Sequence, residues 1–165
     1  MLGSDLVMYE EEFKLIDAEL QRLLQQANAK VVFLVDKNGQ LIAATGETEN
    51  LDTTSLASLT AGNIAATGGM AKLLGEKEFS ILFHEGARDN IHISIIGQRV
   101  ILVVIFDHRS SLGLVRLRVK KSAEVLGSIF NQLLQKVEAE KGSGKAADSP
   151  FAEITDEDID SLFSE

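Results

Sequence analysis

The chain has 165 residues, 45% of them hydrophobic and 25% charged, which is the composition of one folded domain rather than of a disordered chain. Its formal net charge of −9 argues against nucleic-acid binding, which needs a surplus of Lys and Arg. It has no Cys, so disulfide scaffolds, thiolate metal sites and thiol nucleophiles are excluded, and a reducing cytoplasm suits it.

No apolar run approaches the roughly 18 residues of a membrane span. The start, M-L-G-S-D, lacks the basic and apolar regions of a secretion signal, so a cytoplasmic protein is expected. The negative charge is unevenly spread. Residues 1–141 hold 15 bases and 18 acids, whereas 148–165 hold seven acids and no base. Between them K-G-S-G-K-A-A-D-S-P (141–150) reads as a flexible linker containing the only Pro. The expected organisation is a domain over 1–140, a linker over 141–150 and an acidic tail over 151–165.

In chain order, residues 6–28 carry Tyr9, Phe13, Ile16, Leu20, Leu23, Leu24 and Ala27 at helical spacing, opposite Glu11, Glu12 and Glu19. The runs K-V-V-F-L-V-D (30–36) and L-I-A-A-T (41–45) flank Asp36-Lys37-Asn38-Gly39 and read as a hairpin. A second helix is expected over 53–74, capped by Asp52 or Thr53 and by Gly75. F-S-I-L-F-H-E (79–85) reads as a third strand. N-I-H-I-S-I-I (90–96) alternates, with His92 and Ser94 on the polar face of a half-buried fourth strand. Gly97-Gln98 forms a turn. R-V-I-L-V-V-I-F-D (99–107) is apolar on both faces, as in a central strand. A last helix over 111–140 places Val115, Val119, Ala123, Leu126, Ile129, Phe130, Leu133 and Val137 on one stripe. The order α-β-β-α-β-β-β-α describes an α/β (α+β) sandwich: one five-stranded antiparallel-type sheet with helices packed on it.

The second helix stands out. Helical geometry puts Leu56, Leu59, Met70, Leu73 and Leu74 on one side, expected to face the sheet together with Asn63. The opposite side is tiled with Ala57, Ser58, Ala61, Ala65, Gly68 and Gly69, and Lys72 is its only charge. A solvent face is normally charged, and each interior Gly costs about 1 kcal/mol relative to Ala. Gly62, Gly68 and Gly69 are therefore unfavourable unless another backbone comes close. Either an internal helix covers this side, or a second subunit or partner protein does.

Chemistry of its own is hard to find. His84, His92 and His108 have no metal-ligand spacing and no triad partners. G-S-G-K (142–145) fails the phosphate-loop pattern at Ala139 and Ala146, and Asp36–Gly39 lacks the other ligands of a calcium loop. No metal or cofactor is expected. The run R-L-R-V-K-K (116–121) reads either as a solvated helix face or as an electrostatic patch for an acidic surface, the chain's own tail included. In the tail, Thr155 and Asp158 match a capping box, and Phe151, Ile154, Ile159, Leu162 and Phe163 are apolar anchors around a short helix at 156–164. Such a segment suits folding on a hydrophobic groove with a basic rim; a disordered or self-docked tail is the alternative.

Taken together, L-V-M-Y-E-E-E-F (6–13), A-K-V-V-F-L-V-D-K-N-G-Q-L-I (29–42), D-T-T-S-L-A-S-L-T-A-G-N (52–63), V-V-I-F-D-H-R-S-S-L-G-L-V-R-L-R (103–118) and the tail resemble the Roadblock/LC7 family, in particular its bacterial polarity regulators. The resemblance implies a homodimer in which second helices and third strands of two subunits meet. It implies a GTP-bound, MglA-type Ras-like small GTPase as partner, activated without an arginine finger, in cell polarity and gliding motility at a cell pole. Ala61, Ala65, Gly68, Gly69 and Lys72 would lie at the GTPase-docking surface. Ala57, Ser58 and Gly62 would serve close helix packing in the dimer, and the tail would make a second contact. Two other readings are a Roadblock scaffold that recruits polarity proteins without changing GTP turnover, and a ligand-sensing α/β domain, which would need a convergent polar set inside.

Overall fold

A computed structural model describes residues 3–97 and 100–143. The elements are α1 (Gly3–Gln26), β1 (Val31–Asp36), β2 (Leu41–Gly46), α2 (Thr53–Leu74), β3 (Ile81–Glu85), β4 (Asn90–Ile96), β5 (Val100–Phe106) and α3 (Leu112–Ser143). Their order is the expected one. The strands form one sheet ordered β2-β1-β5-β4-β3, with every neighbouring pair antiparallel. The expected linker begins inside regular structure, because α3 continues to Ser143. The tail residues Phe151, Ile154, Ile159, Leu162 and Phe163, and the second turn residue Gln98, lie outside the described residues.

The two central strands set the core. All seven residues of β5 are buried, as are Val31 to Val35 of β1. Their alternating side chains feed two layers. Val32, Leu34, Leu102 and Val104 meet Ile16, Leu20 and Leu23 of α1 and Leu126, Ile129 and Phe130 of α3. Val31, Phe33, Val35, Val103 and Ile105 face the other way, toward Ala57 of α2. Thus α1 and α3 pack together on one face of the sheet, and among the described residues α2 alone covers the other.

The acids expected on the outer side of α1 are not all in water. Glu12 and Glu19 are buried against α3. Lys136 Nζ donates to Glu12 Oε1 at 2.9 Å, and Ser122 Oγ donates to Glu19 Oε2 at 2.7 Å. A buried carboxylate needs such partners, and α3 supplies them.

The β1–β2 turn follows its sequence. Asp36 Oδ1 accepts from the backbone N–H of Asn38 at 2.9 Å and of Gln40 at 3.0 Å. Gly39 has φ +90°. A Cβ there would lie 3.1 Å from the Cα of Ser58, so the turn rests almost directly on the α2 backbone. Small residues at Ala57, Ser58 and Ala61 make that approach possible.

Candidate functional site

Helix α2 starts and stops where its residues dictate. Asp52 accepts from Ser55 N at 3.0 Å and from Ser55 Oγ at 2.6 Å, which holds its carboxyl below the usual range. Gly75 closes the helix at φ +75°, and Glu76 N donates back to Ala71 O at 2.9 Å.

The helix is turned over relative to expectation. Ala57, Ala61 and Ala71 are the apolar residues it buries. Leu59, Met70, Leu73 and Leu74, expected against the sheet, are 70, 58, 89 and 69% exposed. Leu56 alone of that set is partly buried. The close approach at Gly39 explains the inversion, since leucines facing inward would hold the helix away from the turn. No other helix among the described residues covers either flank, because α1 and α3 lie beyond the sheet. Ala57 is fully buried within its own subunit, so it is out of reach of a dimer partner.

Two unlike flanks result. On one, Ala61, Ala65, Gly68, Gly69 and Lys72 come together in a shallow groove of about 230 Å³ with Lys37. All five are the residues expected at a docking surface. Ala65, Gly69 and Lys72 are exposed there, Gly68 is half-buried and Ala61 is the floor. A Cβ added at Gly62, Gly68 or Gly69 would meet nothing within 4 Å. These glycines are therefore not demanded by packing inside the chain. The groove has two cationic neighbours, Lys37 and Lys72, and one acid, Glu78.

The other flank carries Leu59 and Met70 and borders a cleft toward the free edge of the sheet. Leu56, Asn63, Ile91 and His84 line it. Asn63 Nδ2 donates to His84 Nε2 at 3.0 Å, which gives the Asn on this helix a partner on β3. Strand β3 is an edge strand bonded only to β4 among the described residues. Its Ile81 and Phe83 are exposed apolar residues, and Phe83 stacks on Phe106 with ring centroids 6.1 Å apart.

A feature missed in the sequence lies across the sheet. His92 is 1% exposed and Ser94 is buried beside it, because α3 covers the face of β4 that the alternation marks as polar. Neither ring nitrogen of His92 nor Ser94 Oγ has a hydrogen-bond partner among the described residues. Burial, reinforced by the Arg116 charge, holds the His92 ring below its ordinary pKa. The strict alternation made this pair visible as a face but not as a covered one. Among the described residues no group of three His, Cys, Asp or Glu could hold a metal ion. No helix among them is long and apolar enough to cross a membrane.

Residues 15–106 match the Roadblock/LC7 domain family. The chain belongs to the Roadblock/LC7 family. Among solved structures it is similar to Myxococcus xanthus MglB, with 65% identity and a TM-score of 0.72, covering 74% of this chain and 92% of that one. The gliding protein MglB from Thermus thermophilus is 32% identical at a TM-score of 0.68, over 72% of this chain and 90% of that one. A Roadblock/LC7 domain from Streptomyces avermitilis, 14% identical at a TM-score of 0.63 over 72% of this chain and 97% of that one, shares the fold. No match is found among curated proteins. The Roadblock elements thus account for the sheet and for α2, the helix with both flanks uncovered.

Proposed function

We propose that this Roadblock protein is a homodimeric regulator that stimulates GTP hydrolysis by an MglA-type Ras-like GTPase, in the cytoplasm and at a cell pole. The supporting observation is the pair of α2 flanks. The helix has one charged residue, Lys72, and neither flank is covered by another helix among the described residues. The leucine and methionine flank, continuous with the β3 edge, suits a second copy. The groove of Ala65, Gly68, Gly69 and Lys72 suits the GTPase, whose backbone can come close only where side chains are small.

In this reading the chain supplies a shape and no catalytic group. It holds the GTPase in the form whose own Arg and Gln reach the γ-phosphate and the attacking water. The segment 151–165, with Phe151, Ile154, Ile159, Leu162 and Phe163, makes a second contact with the GTPase.

Mixing the purified chain with such a GTPase and GTP should accelerate phosphate release roughly tenfold or more, which is about 1.4 kcal/mol off the barrier. Unchanged turnover over a wide concentration range sinks the proposal. Binding with no acceleration assigns the chain to a scaffolding role instead.

A further inference from the structure

On the α3 side of the sheet, a cleft of about 580 Å³ opens between β3–β4 and the first half of α3. Its floor contains His92 and Ser94, both more than nine-tenths buried and both without a hydrogen-bond partner among the described residues. Buried polar atoms are normally paired, so this floor is built to meet donors or acceptors from outside the described fold. Arg116 and Lys120, exposed and one helical turn apart, form its rim and make no ion pair among the described residues. Ile81 and Leu117, each 50% exposed, give it an apolar lip. Glu124 is its one acid. An occupant must therefore be acidic, amphipathic and able to hydrogen-bond.

We propose that residues 151–165 of the same chain dock in this cleft, with their acids against Arg116 and Lys120 and their apolar side chains on Ile81 and Leu117. The segment has the complementary chemistry. Residues 148–165 carry seven acids and no base, and Ile159, Leu162 and Phe163 recur at the spacing of one helical face. Its Ser, Thr and carboxylate groups can partner His92 and Ser94. The reach also closes. Lys120 precedes Ser143 by 23 residues, which is roughly 35 Å along the helix. Ile159 follows Ser143 by 16 residues, which span up to roughly 53 Å when extended. The cleft lies across the sheet from α2, so a docked tail leaves both α2 flanks open. Docking on the body and contact with the GTPase use the same segment in turn. The docking is independent of the GTPase reading, which stands or falls on turnover.

Because the chain has no Cys, Ser161→Cys in the full-length protein accepts a single nitroxide. In the isotope-labelled, spin-labelled chain the amide signals of His92, Leu117 and Lys120 are expected to broaden, while those of α2 stay sharp. The double reversal Arg116→Glu with Lys120→Glu is expected to lower occupancy roughly tenfold and restore the signals. Both residues are exposed, so the fold is kept. A mixed sample, with isotope and nitroxide on different chains, should show no broadening. Absent broadening, broadening centred on α2, broadening in the mixed sample, or indifference to the charge reversal each overturns the proposal. The third of those outcomes makes a second copy's tail the occupant.

Discussion

At the scale of single residues, His92 is the most informative. Its ring is buried with no partner among the described residues, and its pKa is lowered, first by desolvation and then by Arg116. The unfolded chain takes up a proton near the ordinary value of about 6.5, whereas the folded chain resists until lower pH. More protons bound in the unfolded state means that stability rises with pH in this window. Urea unfolding midpoints should therefore fall as pH drops from about 7.5 through 6.5 and level off below the folded pKa. His92→Leu should flatten that dependence, and a variant with an unchanged slope would assign it to another group. Ala65 and Gly69 offer a second residue-scale test. Both are exposed, and a Cβ at Gly69 meets open space, so Ala65→Arg and Gly69→Arg should leave the circular dichroism and melting of the chain intact. Each should prevent association with the GTPase in a pull-down or titration. Normal binding by both variants would move the docking face off this flank.

At the scale of elements, α1, α3 and β5 were legible because their apolar patterns answer to one core. Ile16, Leu20 and Leu23, or Leu126, Ile129 and Phe130, have a single place to go. Helix α2 was legible in its limits, from Asp52 to Gly75, and illegible in its orientation. A helix with one apolar side and one small uncharged side gives no internal sign of which is inside. The usual preference for large residues in the core favours the leucines. The close Gly39 turn overrides it and selects alanines, a contact between segments some 20 residues apart that spacing cannot show. Ser94 and His92 failed for a related reason: alternation marks a face, while cover by a later helix is a tertiary fact. The residues of the small flank were found together all the same, because Ala61, Ala65, Gly68, Gly69 and Lys72 share one edge whichever side faces the sheet. The helix itself carries a prediction. Gly62, Gly68 and Gly69 have open space where a Cβ would stand, so Gly→Ala at each should stabilise the isolated chain by about 0.5–1 kcal/mol. Chemical unfolding measures this directly. Destabilisation at any of the three would mean that the glycine serves packing within the chain.

For the whole molecule, the exposed leucines and the open β3 edge are one continuous request for a second copy. Fully burying a Leu or Met side chain is worth about 1.5–3 kcal/mol, and Leu59, Met70, Leu73 and Leu74 leave most of that unrealised in a single chain. Leu59→Asp with Leu73→Asp should convert a dimer to a folded monomer in light scattering. A dimer that survives both substitutions is held together elsewhere. The net charge of −9 also changes meaning at this scale. It belongs mainly to the segment after residue 147, and the folded body is close to neutral.

The sandwich is lopsided. On one face of the sheet two long helices share a large core, while on the other a single alanine-floored helix meets a small one. Helix α2 shares only the smaller cluster, so its local opening is expected to leave the larger core closed. Whatever settles on its flanks also holds it down, so binding there and local order there become one linked equilibrium. In the proposed reading, the element that meets partners is thus the one whose rigidity they complete.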